Sequence, residues 1–257
     1  MTDSQAHPQA VEMPISATPV ATAPRRQVYF IAGTDTDVGK TAVSCALLAR
    51  AQLLGRSAYG IKPITAGCRL DEAGTLISDD AERMQSFASV TIDPMLRAPI
   101  RLPSPLSPHL AAAEVGISLR AERAVGQVRA ALSTRADVVV VEGAGGWRVP
   151  INARETVADI AKQLQKPVIL VVRMRLGCLN HALLTIEAIV RDGLPLAGWV
   201  ATVLDDDQDP AYVEAQRLSL AERVRAPCLG LLPYQAVLDV AALAELIRLP
   251  DEADVTP

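Results

Sequence analysis

Residues 28–41, VYFIAGTDTDVGKT, decide the fold. A short β-type run ends at Gly33, a polar loop follows, and Gly39-Lys40-Thr41 opens the helical pattern TAVSCALLARAQLLG (41–55), stopped by Gly55. Strand, glycine-bounded loop and helix N-terminus form an anion trap. Loop N–H groups and the helix end point at phosphates, a lysine neutralises charge, and a Thr hydroxyl can ligate Mg²⁺. Lys40 and Thr41 take the last two roles, and Asp37, Val38 and Gly39 supply loop backbone. TDTDV puts one more residue between the glycines than the standard G-x-x-x-x-G-K-[ST] loop has, so this is a variant. Thr34, Asp35, Thr36 and Asp37 are also turn formers and helix caps by type. Carboxylates beside a triphosphate repel it unless they face Mg²⁺, solvent or a cationic ligand, which points to a second ligand carrying amines.

Outward from this loop, strand-like and helix-like segments alternate. SAYGIKP (57–63) reads as a strand closed by Pro63, with helical stretches near 80–87 and 119–132. Between those two helices lies RAPIRLPSPLSPH (97–109), whose prolines predict no regular structure. DVVVVEG (137–143) and PVILVV (167–172) are unbroken apolar runs of the kind buried on both faces of a parallel sheet. Helix 177–193, strand 196–204, helix 211–225 and the short strand CLGLL (228–232) complete the series. The pattern predicts an α/β fold: a single doubly wound, mostly parallel sheet with helices on both faces. One domain over 27–249 is expected. Residues 1–26, rich in Ala, Pro, Thr and Gln, read as a disordered extension, and 250–257 as a frayed tail.

Composition narrows the function. A formal charge of −4 gives no basic face for nucleic acid, and no apolar run approaches the roughly 20 residues that span a bilayer. The four cysteines (Cys45, Cys68, Cys178 and Cys228) lack a C-x-x-C pair and read as reduced thiols of a cytoplasmic protein.

Ligands of open α/β sheets bind beyond the carboxyl ends of the strands. Glu142 ends VVVVEG there and is placed to ligate Mg²⁺, while Gly145 and Gly146 let backbone N–H groups approach a ligand. Lys62 closes the second strand and projects over the same edge, where it can hold an anion near the γ-phosphate. Asp79 and Asp80 head a helix as capping residues, and either could reach the metal.

Taken together these segments resemble the dethiobiotin synthetase family. The match lies in GTDTDVGKT (33–41), SCALL (44–48), GIKPITAG (60–67), SPH (107–109), VEGAGGW (141–147), VILVVRMRLGCLNHALLT (168–185) and LAGWVA (196–201). The resemblance implies a homodimeric P-loop ligase that carboxylates 7,8-diaminopelargonate with CO₂ and closes a cyclic urea using MgATP. One amine takes up CO₂, the carbamate attacks the γ-phosphate to give a carbamic–phosphoric anhydride, and the neighbouring amine expels phosphate. It further implies that Lys40 holds the β- and γ-phosphates and Lys62 bridges carbamate and γ-phosphate. Thr41, Asp80 (in preference to Asp79) and Glu142 hold Mg²⁺. Thr36 approaches the diamine, Gly145 offers it a backbone group, and Asn180, with Tyr212 beside it, reaches the substrate carboxylate of the neighbouring subunit. His109 orders the proline loop and His181 packs in its helix.

Two positions depart from the family pattern. Where a Ser is common in the loop after the second strand, this chain has Ala66, and Thr65 supplies a hydroxyl one position earlier. Where an amide often reads adenine, Thr202 offers one hydroxyl, with Pro233 completing the base end; weak discrimination among triphosphates follows. The competing class is a partition or cell-division ATPase acting as a nucleotide-driven switch. Its signature lysine would fall at residue 35, here Asp35, and no basic or amphipathic membrane-binding tail accompanies the loop. A noncatalytic domain derived from the same fold would not need Lys40, Lys62, Asp80 and Glu142 together.

Overall fold

The structure, a computed structural model, describes residues 26–253. The expected extension therefore lies outside the described residues except at Arg26. That guanidinium donates to the carbonyls of Leu132 (2.7 Å) and Thr134 (2.9 Å) and to the Tyr59 hydroxyl (2.9 Å), so it belongs to the folded unit.

In chain order the elements are β1 (Gln27–Gly33), α1 (Lys40–Leu53), β2 (Ala58–Ile61), β3 (Ile64–Ala66), β4 (Arg69–Leu70), β5 (Leu76–Ile77) and α2 (Asp79–Ser86). There follow α3 (Pro94–Arg97), β6 (Ile100–Leu102), α4 (Pro108–Glu114), α5 (Ala121–Ala131), β7 (Val138–Gly146), α6 (Val157–Leu164) and β8 (Val168–Arg173). The chain continues through α7 (Cys178–Arg191), β9 (Leu196–Thr202), α8 (Pro210–Ala221), β10 (Cys228–Leu232), α9 (Val240–Glu245) and α10 (Pro250–Ala253).

Six strands form one sheet in the order β10-β9-β8-β1-β7-β2, every pairing parallel. The chain leaves β1 for β2 on one side, then crosses to β8 on the other, which makes the carboxyl end of β1 the switch point where ligands bind. The valines of β7 explain the double winding. Val138 and Val140 join the core under α1 and α9, while Val139 and Val141 join the core under α5 to α8. A strand buried on both faces has no use for alternation.

Two expectations need correction. The proline-rich segment 97–109 is not irregular throughout: Ile100–Leu102 pairs in parallel with β3, and Pro108 starts α4. Pro99 and Pro103 flank that strand instead of interrupting it, and a helix tolerates proline in its first turn, where the missing N–H has no helical partner. Nor does a frayed tail begin at 250. Pro250–Ala253 is a helical turn held by Arg50–Glu252 and Arg56–Asp251 ion pairs, both 2.5 Å. Residues 254–257 lie outside the described ones.

Candidate active site

The loop after β1 reaches α1 through Asp37 (φ 51°) and Gly39 (φ 86°), both in the left-handed region. Gly39 sits against Thr202: a Cβ there would meet the Thr202 methyl at 3.3 Å as well as the backbone penalty. Among the described residues no side chain caps α1, which leaves its first-turn N–H groups facing the cleft. The Lys40 ammonium folds back to donate to the Asp35 carbonyl at 2.9 Å and so closes the loop into a ring. Burial, with Lys62 close by, lowers the Lys40 pKa to about 8 despite Glu142, Asp37 and Asp80 nearby.

Beside this ring lies a four-way knot. Glu142, fully buried at the end of the β7 valines, accepts from Thr41 Oγ1 (2.9 Å) and Lys62 Nζ (2.5 Å) on Oε1. Its Oε2 accepts from Ser44 Oγ at 2.8 Å. Lys62 Nζ is also 2.8 Å from Asp80 Oδ2. Burial works against both charges, but the opposed carboxylates outweigh it and hold Lys62 above the ordinary lysine range. In the same way Lys62, with a hydrogen bond from Thr41, holds Asp80 below the carboxylate range. Asp79 turns outward to Arg69 at 2.7 Å. The carboxylates of Asp80 and Glu142 already converge on one cation, the Lys62 ammonium, and the Thr41 hydroxyl lies against Glu142; all three are hard oxygen donors. That set suits Mg²⁺ carried in on phosphates. Among the described residues no cluster of three His, Cys, Asp or Glu side chains could hold a metal without such help.

A cleft of about 530 Å³ opens over the knot and gathers most of the residues expected at the site. Thr36, Asp37, Gly39, Lys40, Thr41, Lys62, Thr65, Ala66, Asp80, Glu142 and Gly145 all line it. Gly145 (φ 63°) lies against Thr36: a Cβ there would stand 3.2 Å from the Thr36 hydroxyl. The Thr65 hydroxyl is 3.0 Å from that of Ser78, the N-cap of α2. Pro105, Leu106, Ser107 and Pro108 form the far wall.

Five expected site residues stand off this cleft. Val38 is buried, and its carbonyl accepts from the Thr202 hydroxyl at 2.8 Å. Thr202 is itself only 2 % exposed, so its hydroxyl braces the loop and is not presented to a base. Pro233 is exposed past β10, Asn180 is exposed in the first turn of α7, and Tyr212 is exposed on α8. His181 is exposed instead of packed, and His109 Nδ1 is buried with no hydrogen-bond partner among the described residues. Sequence reading missed Ser44: a small polar residue in a helix carries no mark of what it faces until β7 is placed beside it.

The family described as an AAA domain matches residues 27–242. Among solved structures, the cobyrinic acid a,c-diamide synthase of Mycobacterium smegmatis with bound ADP and magnesium is similar. It has a TM-score of 0.54 at 19% identity, over 86% of this chain and 91% of that one. The septum site-determining protein MinD of Pyrococcus horikoshii complexed with Mg-ADP has a TM-score of 0.50 at 13% identity, over 87% of each chain. At such identities both speak for the P-loop fold alone. Sequence relatives are more specific. The ATP-dependent dethiobiotin synthetase BioD of Cellvibrio japonicus is 50% identical over 226 residues, covering 88% of this chain and 97% of that protein. The protein of the same name from Aromatoleum aromaticum is 47% identical over 231 residues, 87% and 98% of the two chains. Identity at this level, over nearly the full length of each relative, makes the chain a member of the ATP-dependent dethiobiotin synthetase family.

Proposed function

We propose that the chain makes dethiobiotin in biotin biosynthesis, carboxylating 7,8-diaminopelargonate with CO₂ and closing the ureido ring with MgATP. The observation that carries this reading is the convergence of Lys40, Lys62, Thr41, Asp80 and Glu142 on one cleft beside the phosphate loop. A carbamate and a triphosphate are both anions, and cations must bring them together. Lys40 and the α1 N-terminus hold the β- and γ-phosphates. Thr41, Asp80 and Glu142 hold Mg²⁺, which supplies charge neutralisation on the phosphates. Lys62 orients the carbamate oxygen toward the γ-phosphorus, and the anhydride that results is closed by the second amine, releasing phosphate. Positioning and charge stabilisation carry this chemistry, without a dedicated strong base. Thr36, Gly145, Thr65 and Ala66 bound the diamine end.

Asn180 and Tyr212 are exposed and do not line the cleft of their own chain, and Leu176 and Leu184 near Asn180 in sequence are exposed too. This supports a homodimer in which they serve the partner's substrate. A cytoplasmic site of action agrees with the reading; among the described residues no helix is long and apolar enough to cross a membrane.

The test is direct. Purified protein with MgATP, bicarbonate and 7,8-diaminopelargonate should form dethiobiotin and release ADP and phosphate. ADP release indifferent to the diamine would overturn the assignment.

A further inference from the structure

Ala144 and Gly145 line the cleft, and the run GAGG (143–146) around them has no side chain larger than a methyl with which to hold itself. Its surroundings are tight. A Cβ on Gly143 would stand 3.1 Å from the Phe30 ring, one on Gly145 3.2 Å from the Thr36 hydroxyl, and one on Gly146 3.4 Å from the Thr34 carbonyl. A small displacement of the run therefore changes its fit against the phosphate loop. The first side chain able to anchor it is Trp147, 3 % exposed and met edge-on by Phe30, with ring centroids 6.2 Å apart. The indole N–H donates to Asp192 Oδ2 at 2.8 Å. Arg148 adds Nη1 to the same oxygen at 2.8 Å and Nη2 to Oδ1 at 3.0 Å.

Asp192 stands where its own helix does not favour it. It follows α7 directly, with its N–H donating to the Ala188 carbonyl at 3.0 Å, so its carboxylate sits at the negative end of the helix dipole. Its side chain is only 11 % exposed, which adds a desolvation cost that its partners must offset. Of the two, the indole matters more: a buried N–H left unpaired costs more than the bond itself contributes. Arg148 is half-exposed, and ion pairs open to solvent contribute little.

We propose that Asp192 is a positioning residue for the diamine end of the cleft: through the Trp147 indole it fixes where Gly145 meets Thr36. Asp192 does not line the cleft, and its effect passes through Trp147, two residues from Gly145. The proposal rests on the reading above that Gly145 serves the diamine, and adds the group that holds Gly145 in register.

Steady-state kinetics of the full chain provide the test. Asp192→Ala should raise the KM for the diamine about tenfold or more, the scale on which small misplacements act, and leave the KM for MgATP within about twofold. Asp192→Asn, whose amide oxygen still accepts from the indole, should bring the diamine KM back to near the wild-type value. A merely structural role would lower the melting temperature or kcat without separating the two substrates. An equal rise in both KM values, no rise in either, or no rescue by Asn overturns the proposal. Should Asp192→Ala fail to fold, the wild-type chain decides. Its two tryptophans give two indole N–H resonances, and Trp199, unlike Trp147, has no hydrogen-bond partner for its N–H among the described residues, so the two differ. With both assigned through the backbone, the diamine alone should shift the Trp147 resonance and leave that of Trp199 in place; an unmoved Trp147 resonance, or equal shifts of both, overturns the proposal. Wild-type turnover indifferent to the diamine would sink the functional reading instead. Diamine-dependent wild-type turnover with an unaltered diamine KM in Asp192→Ala sinks only the role of Asp192.

Discussion

Thr202 ends β9 with its hydroxyl donated to Val38 at 2.8 Å and a second carbonyl, Val172, at 3.4 Å. One proton cannot both brace the phosphate loop and read a nucleobase. Base selection by this side chain is thus absent, and CTP and GTP should support turnover within about tenfold of ATP, roughly the discrimination one neutral hydrogen bond provides. A strong ATP preference in a diamine-dependent assay would show that other groups read the base. Lys62→Ala belongs to the same scale: nucleotide binding should persist by calorimetry while dethiobiotin formation is lost, and undiminished turnover would remove Lys62 from the chemistry. The thiols provide a third residue-level check. Burial, then the nearby Glu142 charge, pushes Cys45 up to about 12, whereas Cys228 is only half-buried. Alkylation of the native chain at pH 8, read by mass spectrometry, should modify Cys228 well before Cys45; prompt labelling of Cys45 would mean that α1 opens readily. Of the site itself, Lys40, Thr41, Lys62 and Glu142 were legible because each stands at a strand end or helix start that its own neighbours define. Ser44 was not, since its partner is 98 residues away.

At the scale of elements, local signal and tertiary pairing divide the chain. β1, β7 and β8 could be read because unbroken apolar runs have few other homes in a protein of this kind. β3 and β6 are three residues each, and Ile64 meets Ile100 only when the fold is complete, so no periodicity announces them. α6 was passed over although Thr156 and Asp159 form a capping box at its start, eight residues being too short for an apolar stripe to stand out. α10 was misjudged because its hold on the body is ionic. Burial opposes the charges of Asp251 and Glu252, but Arg56 and Arg50 outweigh it and hold both carboxyls below their ordinary range. Their contribution is therefore full at neutral pH, above the unfolded carboxyl pKa, and is lost as pH falls through the lowered folded values. Amide protection of residues 251–253 should disappear on acidification toward about pH 3 while the β1–β7 ladder keeps its own. Simultaneous loss at both places would show that α10 is not a separately held element.

For the whole molecule, a ligand that engages β1, α1, β2 and β7 through their shared edge must stabilise the sheet they build. MgADP at about a hundredfold over its Kd should raise the melting temperature by roughly 5–10 °C. Lys40→Ala, which loses a phosphate contact, should blunt that shift, and an unchanged shift would place the nucleotide elsewhere. The parallel sheet also gives the molecule two unlike ends. The cleft that gathers the candidate site residues opens at the carboxyl ends of the strands, whereas Arg26 is clamped to Leu132, Thr134 and Tyr59 just before β1 begins. Seven residues of strand, about 23 Å, separate that clamp from the phosphate loop. A bead, a chip or a fusion partner joined ahead of Arg26 would consequently grip the molecule from behind, leaving the mouth of the cleft turned toward the solution that feeds it.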